Sequence, residues 1–102
     1  MENLIFLKLG GSLITDKNKP RSPQLDRLRD LASQIAVVRA RDPNLLLLIG
    51  HGSGSFGHVA AKKYRTRDGL SGDSVEYWYG FTEVWHEATE LNKIVMNALR
   101  QV

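Results

Sequence analysis

Leu45-Leu46-Leu47-Leu48-Ile49-Gly50-His51-Gly52-Ser53-Gly54-Ser55-Phe56-Gly57-His58 is an apolar run that breaks into glycines, and Val59-Ala60-Ala61-Lys62-Lys63-Tyr64 follows it. Residues 45–49 read as a buried strand, and residues 59–64 as the opening of a helix. A strand that ends in glycines and turns into a helix is suited to holding phosphate. Glycines let the backbone approach an anion, and the helix start offers free N–H donors.

Toward the N-terminus a second turn of this kind appears. Lys8-Leu9-Gly10-Gly11-Ser12 follows the apolar run Leu4-Ile5-Phe6-Leu7. Residues 3–9 read as the first buried strand and 15–21 as a polar loop. Ser22-Pro23 reads as the N-cap and first position of a helix. Leu25, Leu28, Leu31, Ala32, Ile35 and Val38 then recur at helical spacing, and the helix ends near Arg41, before Pro43. Strand, helix, strand in this order is a βαβ unit with parallel strands. Both glycine turns then lie at the carboxyl ends of their strands and open on one sheet edge, where ligands bind in open α/β folds. Two phosphate-type turns on one edge suit a protein that handles two phosphorylated groups at once.

Toward the C-terminus, residues 65–73 read as a loop or small hairpin. A long helix is predicted over about 74–100, with an apolar stripe of Phe81, Val84, Trp85, Ala88, Leu91, Val95, Ala98 and Leu99. Two strands are few for an α/β domain. The 102 residues therefore read as the N-terminal portion of a larger one.

Composition bounds the function. The chain is 42% hydrophobic and 25% charged, as in a globular protein, with a net charge of +3. It has no cysteine, which removes disulfide frameworks and thiolate metal sites. No apolar run nears the ~20 residues that span a membrane, and no signal-peptide pattern opens the chain. The expected compartment is the cytoplasm, with no membrane partner. Positive residues are scattered, apart from Lys62, Lys63, Arg65 and Arg67, and no aromatic platform alternates with them. Nucleic acid is accordingly not expected as a partner.

Two familiar templates fail. Gly52, Gly54 and Gly57 match the dinucleotide fingerprint in spacing, but no strand ending in an acidic residue follows near residues 69–73. The P-loop pattern needs Lys-Ser/Thr after its last glycine, and here His58-Val59 stands there. The turn is a phosphate loop of a third kind, with an imidazole in place of an ammonium.

These residues carry a resemblance. The stretch from Lys8 through Gly10, Gly11 and Ser12 to Lys17 resembles the opening of the amino acid kinase superfamily, and more narrowly of the isopentenyl phosphate kinases. Gly52 to His58 with the helix after it resembles the second glycine loop of those kinases. Gly80-Phe81-Thr82-Glu83-Val84, leading to Leu91-Asn92, resembles their long helix. The middle glycine of the second loop is Ser53 here, which can still donate its N–H if its φ is negative. The resemblance implies a three-layer αβα sandwich with a mainly parallel sheet, of which residues 1–102 would be the acceptor-substrate side.

It also implies a reaction: transfer of the γ-phosphoryl of ATP, with Mg²⁺, to isopentenyl phosphate, giving isopentenyl diphosphate for isoprenoid synthesis. A phosphate acceptor, with a second pKa of about 6, needs no general base. The difficulty is to bring two anions together. By the resemblance, Lys8, Lys17 and His58 would be catalytic. Lys8, Gly10, Gly11, Ser12 and Ser53 would hold ATP. Gly52, Gly54, Gly57 and His58 would seat the acceptor phosphate. No Asp/Glu cluster identifies metal ligands. The resemblance further suggests a homodimer through the long helix. Two other readings stay open: a fosfomycin-type kinase with the same loop, and a non-catalytic fragment. The other polar residues have plainer readings. His51 reads as structural, His86 as solvated, and Glu87 and Glu90 as a solvated helical face. Phe81 to Trp85 reads as core or dimer contact before it reads as a wall for a prenyl tail.

Overall fold

A computed structural model describes residues 3–69 and 74–102, and only the backbone of Arg67 and Ser74. Strand β1 (Leu4–Leu9) leads through one helical turn, α1 (Gly11–Ile14), and a loop to α2 (Leu25–Arg41). Strand β2 (Leu46–His51), the short helix α3 (His58–Tyr64), a 3₁₀ turn at Thr66–Asp68 and the 27-residue α4 (Ser74–Arg100) follow. The two strands pair in parallel, Leu4 opposite Leu46 through Leu9 opposite His51. The βαβ unit is as the hydrophobic pattern predicts. The bounds of α4 are as well, because its apolar stripe has no competing break.

Alternation puts Leu7, Leu9 and Ile49 on one sheet face. They join Leu28 of α2 and Leu91 and Val95 of α4 in a single core cluster, with Ile14 and Phe56 from the two turns. Both long helices therefore cover one face. The other face carries Leu4, Phe6, Lys8, Leu46 and Leu48, and Leu4 and Phe6 are 67% and 62% exposed. The expectation of strands buried on both faces is corrected here: among the described residues no helix lies over this second face. The radius of gyration, 16.3 Å, exceeds the about 13 Å usual for a compact domain of this length. The open sheet and the long α4 account for the difference.

Other boundaries move for identifiable reasons. Ser22-Pro23 does not cap α2. Pro23 forms an antiparallel bridge with Thr15. The Ser22 hydroxyl donates to the Pro20 carbonyl at 3.1 Å, and Gln24 stands at the cap instead. A tertiary bridge has taken the backbone that a local cap would have used. Strand β2 runs two residues into the glycine stretch, because Gly50 and His51 pair with Lys8 and Leu9. Leu25 and Val38 of α2, and Phe81 and Trp85 of α4, are exposed, so both stripes are narrower than their spacing implies. Within the predicted 65–73 loop, residues 66–68 form the 3₁₀ turn, and 70–73 lie outside the described residues.

Candidate functional site

The parallel register brings the two glycine turns side by side. Gly52 N–H donates to Leu9 O at 3.0 Å, carrying the strand ladder one step past β2. Gly11 and Gly54 then touch through main chain. A Cβ on Gly11 would overlap the nitrogen and Cα of Gly54, and one on Gly54 would overlap Thr15 Oγ1. Gly54 also has φ +54°. No side chain fits at position 11 or 54, which is why glycine stands on both sides of the crossing.

Thr15 holds the crossing together, and sequence reasoning missed it. Its hydroxyl donates to Gly11 O at 2.6 Å and accepts the Ser55 N–H at 3.0 Å. Thr15 is fully buried and Ser55 nearly so. Ser55 in turn receives the loop that carries Lys17. Its Oγ accepts Ser22 N–H at 3.2 Å, and its carbonyl accepts Arg21 N–H at 3.2 Å. Phe56, 3% exposed, anchors the second turn in the core. Nothing in the residue type of Thr15 separated it from the start of an ordinary polar loop.

His51 is bound at both ring nitrogens. Nδ1 lies 2.9 Å from Gly52 O, and Nε2 lies 3.0 Å from Asn92 Nδ2. A carbonyl can only accept and an amide N–H₂ can only donate, so this pairing puts the ring proton on Nδ1. The imidazole thus ties the second turn to α4. His86 is exposed.

The candidate residues fall into two groups. Gly10, Gly11, Gly52 and Gly54 meet at the crossing, and Ser12 and Ser53 adjoin them in sequence. Gly10 caps α1, and the N–H groups of Gly11 and Ser12, at its start, have no intrahelical partner. Ser53 is not among the positive-φ residues, so it fills a glycine's place without strain. The second group is spread around the crossing. Lys8 projects from the open sheet face opposite Gly50, exposed. Lys17 is exposed in the 15–24 loop. His58 opens α3, exposed, after Gly57 turns the chain at φ +90°. No hydrogen bond joins Lys8, Lys17 and His58 to one another among the described residues. His58 borders an open groove with Ala61, Lys62, Arg65 and Asp68. Among the described residues no group of three or more His, Asp or Glu side chains could hold a metal ion. No helix among them is long and apolar enough to cross a membrane.

Glu87 corrects a further expectation. Its side chain is only 16% exposed, not solvated, and Oε2 lies 3.2 Å from Arg21 Nε. The approach lacks hydrogen-bond geometry, so Oε2 is buried with an ion-pair neighbour and no hydrogen bond. Glu87 packs against Gly57: a Cβ there would lie 3.7 Å from the Glu87 Cβ. Glu90, 35% exposed, pairs with Lys93 on the helix surface.

Comparison with known proteins gives the family and the fold. The sequence profile of the Amino acid kinase family matches residues 3–101. Isopentenyl phosphate kinase of Methanocaldococcus jannaschii is 33% identical over 101 residues, covering 95% of this chain and 39% of that one. The Methanothermobacter thermautotrophicus enzyme of the same name is 37% identical over 100 residues, 94% of this chain and 36% of that one. Among solved structures, an isopentenyl phosphate kinase superposes with a TM-score of 0.82 at 33% identity, over 97% of this chain and 39% of that one. The product complex of the Thermoplasma acidophilum kinase gives 0.75 at 29% identity, over 97% and 39%. This chain spans about two fifths of the length of the relatives it matches. Its fold is the N-terminal part of theirs, and the chain belongs to the amino acid kinase family.

Proposed function

We propose that the protein carrying this chain transfers the γ-phosphoryl of ATP to isopentenyl phosphate, giving isopentenyl diphosphate, and that these residues furnish the acceptor side of the site. The observation that carries the reading is the main-chain crossing of Gly11 and Gly54, which sets two phosphate-type turns against each other. The likeness to kinases of that specificity supports it. So does a solved substrate complex of isopentenyl phosphate kinase, similar over 99% of this chain.

In this reading the N–H groups of Gly10, Gly11 and Ser12, with Ser53, receive the ATP phosphates. The turn formed by Gly52, Gly54 and Gly57 receives the acceptor phosphate, and His58 donates a hydrogen bond to it. An acceptor oxygen attacks the γ-phosphorus, and the bond to the β-bridging oxygen breaks. Lys8 and Lys17 offset the negative charge gathered between the two seats. The described residues do not assemble a carboxylate set for Mg²⁺. Pairing of two copies through α4 belongs to the same reading, supported by its exposed row of Trp78, Phe81 and Trp85.

The test is a panel of acceptors with ATP, run on the protein as encoded. Isopentenyl phosphate should be turned over; use of fosfomycin alone would move the assignment to that sister activity. His58→Ala should lower kcat/KM for the acceptor on the order of 10–100-fold, the scale of one charge-assisted hydrogen bond. ATP affinity should stay as it is. An unchanged kcat/KM would remove His58 from the acceptor seat.

A further inference from the structure

Four ion pairs are present among the described residues, and three of them join residues three apart in sequence. The fourth, Arg21–Glu87, joins the loop that carries Lys17 to α4 across 66 positions (87 − 21). It is also the one with a largely buried carboxylate, at 16% exposure against 35% to 102% for the others. The Glu87 side chain starts beside Gly57, next to His58: its Cβ would lie 3.7 Å from a Cβ at Gly57. A largely buried carboxylate on a side chain that starts beside Gly57 is a negative charge close to the turn read above as a phosphate seat, and an uncompensated one would repel a dianionic ligand.

Arg21 is built to compensate it. Its backbone is held in the left-handed region at φ +50°, with its N–H on Ser55 O at 3.2 Å. Arg21 is thereby fixed to the second glycine turn itself, and its guanidinium reaches Glu87 from there.

We propose that Arg21 is a positioning residue of the acceptor seat: it cancels the Glu87 carboxylate beside Gly57 and so lets a phosphate dianion occupy the loop. The proposal rests on the reading of residues 52–58 as a phosphate seat. It assigns Arg21 no contact with the phosphate.

The distinguishing experiment is a charge cycle in the protein as encoded, with Arg21→Gln, Glu87→Gln and the double variant. Two quantities are read: KM for isopentenyl phosphate beside KM for ATP, and the Kd for inorganic phosphate by calorimetry. Arg21→Gln should weaken isopentenyl phosphate and inorganic phosphate alike by about tenfold, the order expected of one uncompensated charge several ångströms from a bound anion. KM for ATP should change less than the acceptor values, and the penalty should shrink as salt is raised. The double variant should return to within about threefold of the parent, because removing the carboxylate removes the need for its counter-ion. Failure of the double variant to recover would overturn the proposal and make Arg21 a direct phosphate ligand. Equal losses for both substrates, accompanied by a lower Tm, would overturn it in favour of a purely structural pair. If isopentenyl phosphate is not turned over but the phosphate Kd follows the cycle, the substrate assignment fails and the compensation stands. If turnover is present and neither quantity moves in Arg21→Gln, the compensation fails and the substrate assignment stands.

Discussion

The crossing of the two glycine turns and the outer face of the sheet lie a few residues apart in sequence and are built on opposite terms. At the crossing, Gly11 and Gly54 touch through backbone, Thr15 and Ser55 are buried, and their polar atoms are hydrogen-bonded. On the outer face, Leu4, Phe6 and Leu48 are 67%, 62% and 54% exposed. The comparison separates two kinds of order. The crossing is specified by local geometry and hydrogen bonds that these residues supply to one another. The outer face has the composition of a core without the neighbours of one, so its apolar side chains gain only part of the burial that core residues gain.

Substitutions at the two regions should differ accordingly. The largest effect is expected from Gly54→Val. The new side chain would overlap Gly11 O and Thr15 and force a branched residue to φ +54°, at a cost of ~3 kcal/mol or more. Thermal unfolding checks the stability, and the acceptor KM should rise with it. A stable, fully active Gly54→Val would break the contrast outright. Thr15→Val is the intermediate case. It keeps the shape and removes the hydroxyl, leaving the Ser55 N–H unpaired in a buried place, for about 2 kcal/mol by urea denaturation. A change below about 0.5 kcal/mol would mean that water replaces the hydroxyl. The smallest effect belongs to the outer face. Leu4→Gln in the 102-residue chain should alter stability by about 0.5 kcal/mol or less, as surface substitutions do. A loss of ~2 kcal/mol at Leu4 would show that this face is covered in solution.

What could be read from the chain in advance follows the same division. Both glycine turns, the parallel pair and the span of α4 were legible. Each rests on a local signal: an apolar run broken by glycines, or a long apolar stripe at helical spacing. The interior of the site was not. Thr15 acts on Ser55, forty residues away, and nothing near it in sequence marks that partner. Glu87 sits among charged residues on α4 and reads as solvated, yet its neighbours are Gly57 and Arg21, brought there by folding. Ser22 carries a strong cap signal that the Thr15–Pro23 bridge overrides. The exposure of Phe81 and Trp85 was hidden for the opposite reason: helical spacing shows which residues share a side, not whether anything lies against that side.

The contact of Gly11 with Gly54 has a consequence for ligand entropy. Side-chain clamps must be frozen out of several rotamers when a ligand arrives, at about 0.5–1.5 kcal/mol for each long side chain. Two glycine turns have no rotamers to lose. The relative placement of the two turns at Gly11 and Gly54 is therefore fixed by peptide geometry, with no side-chain rotamer to be selected there.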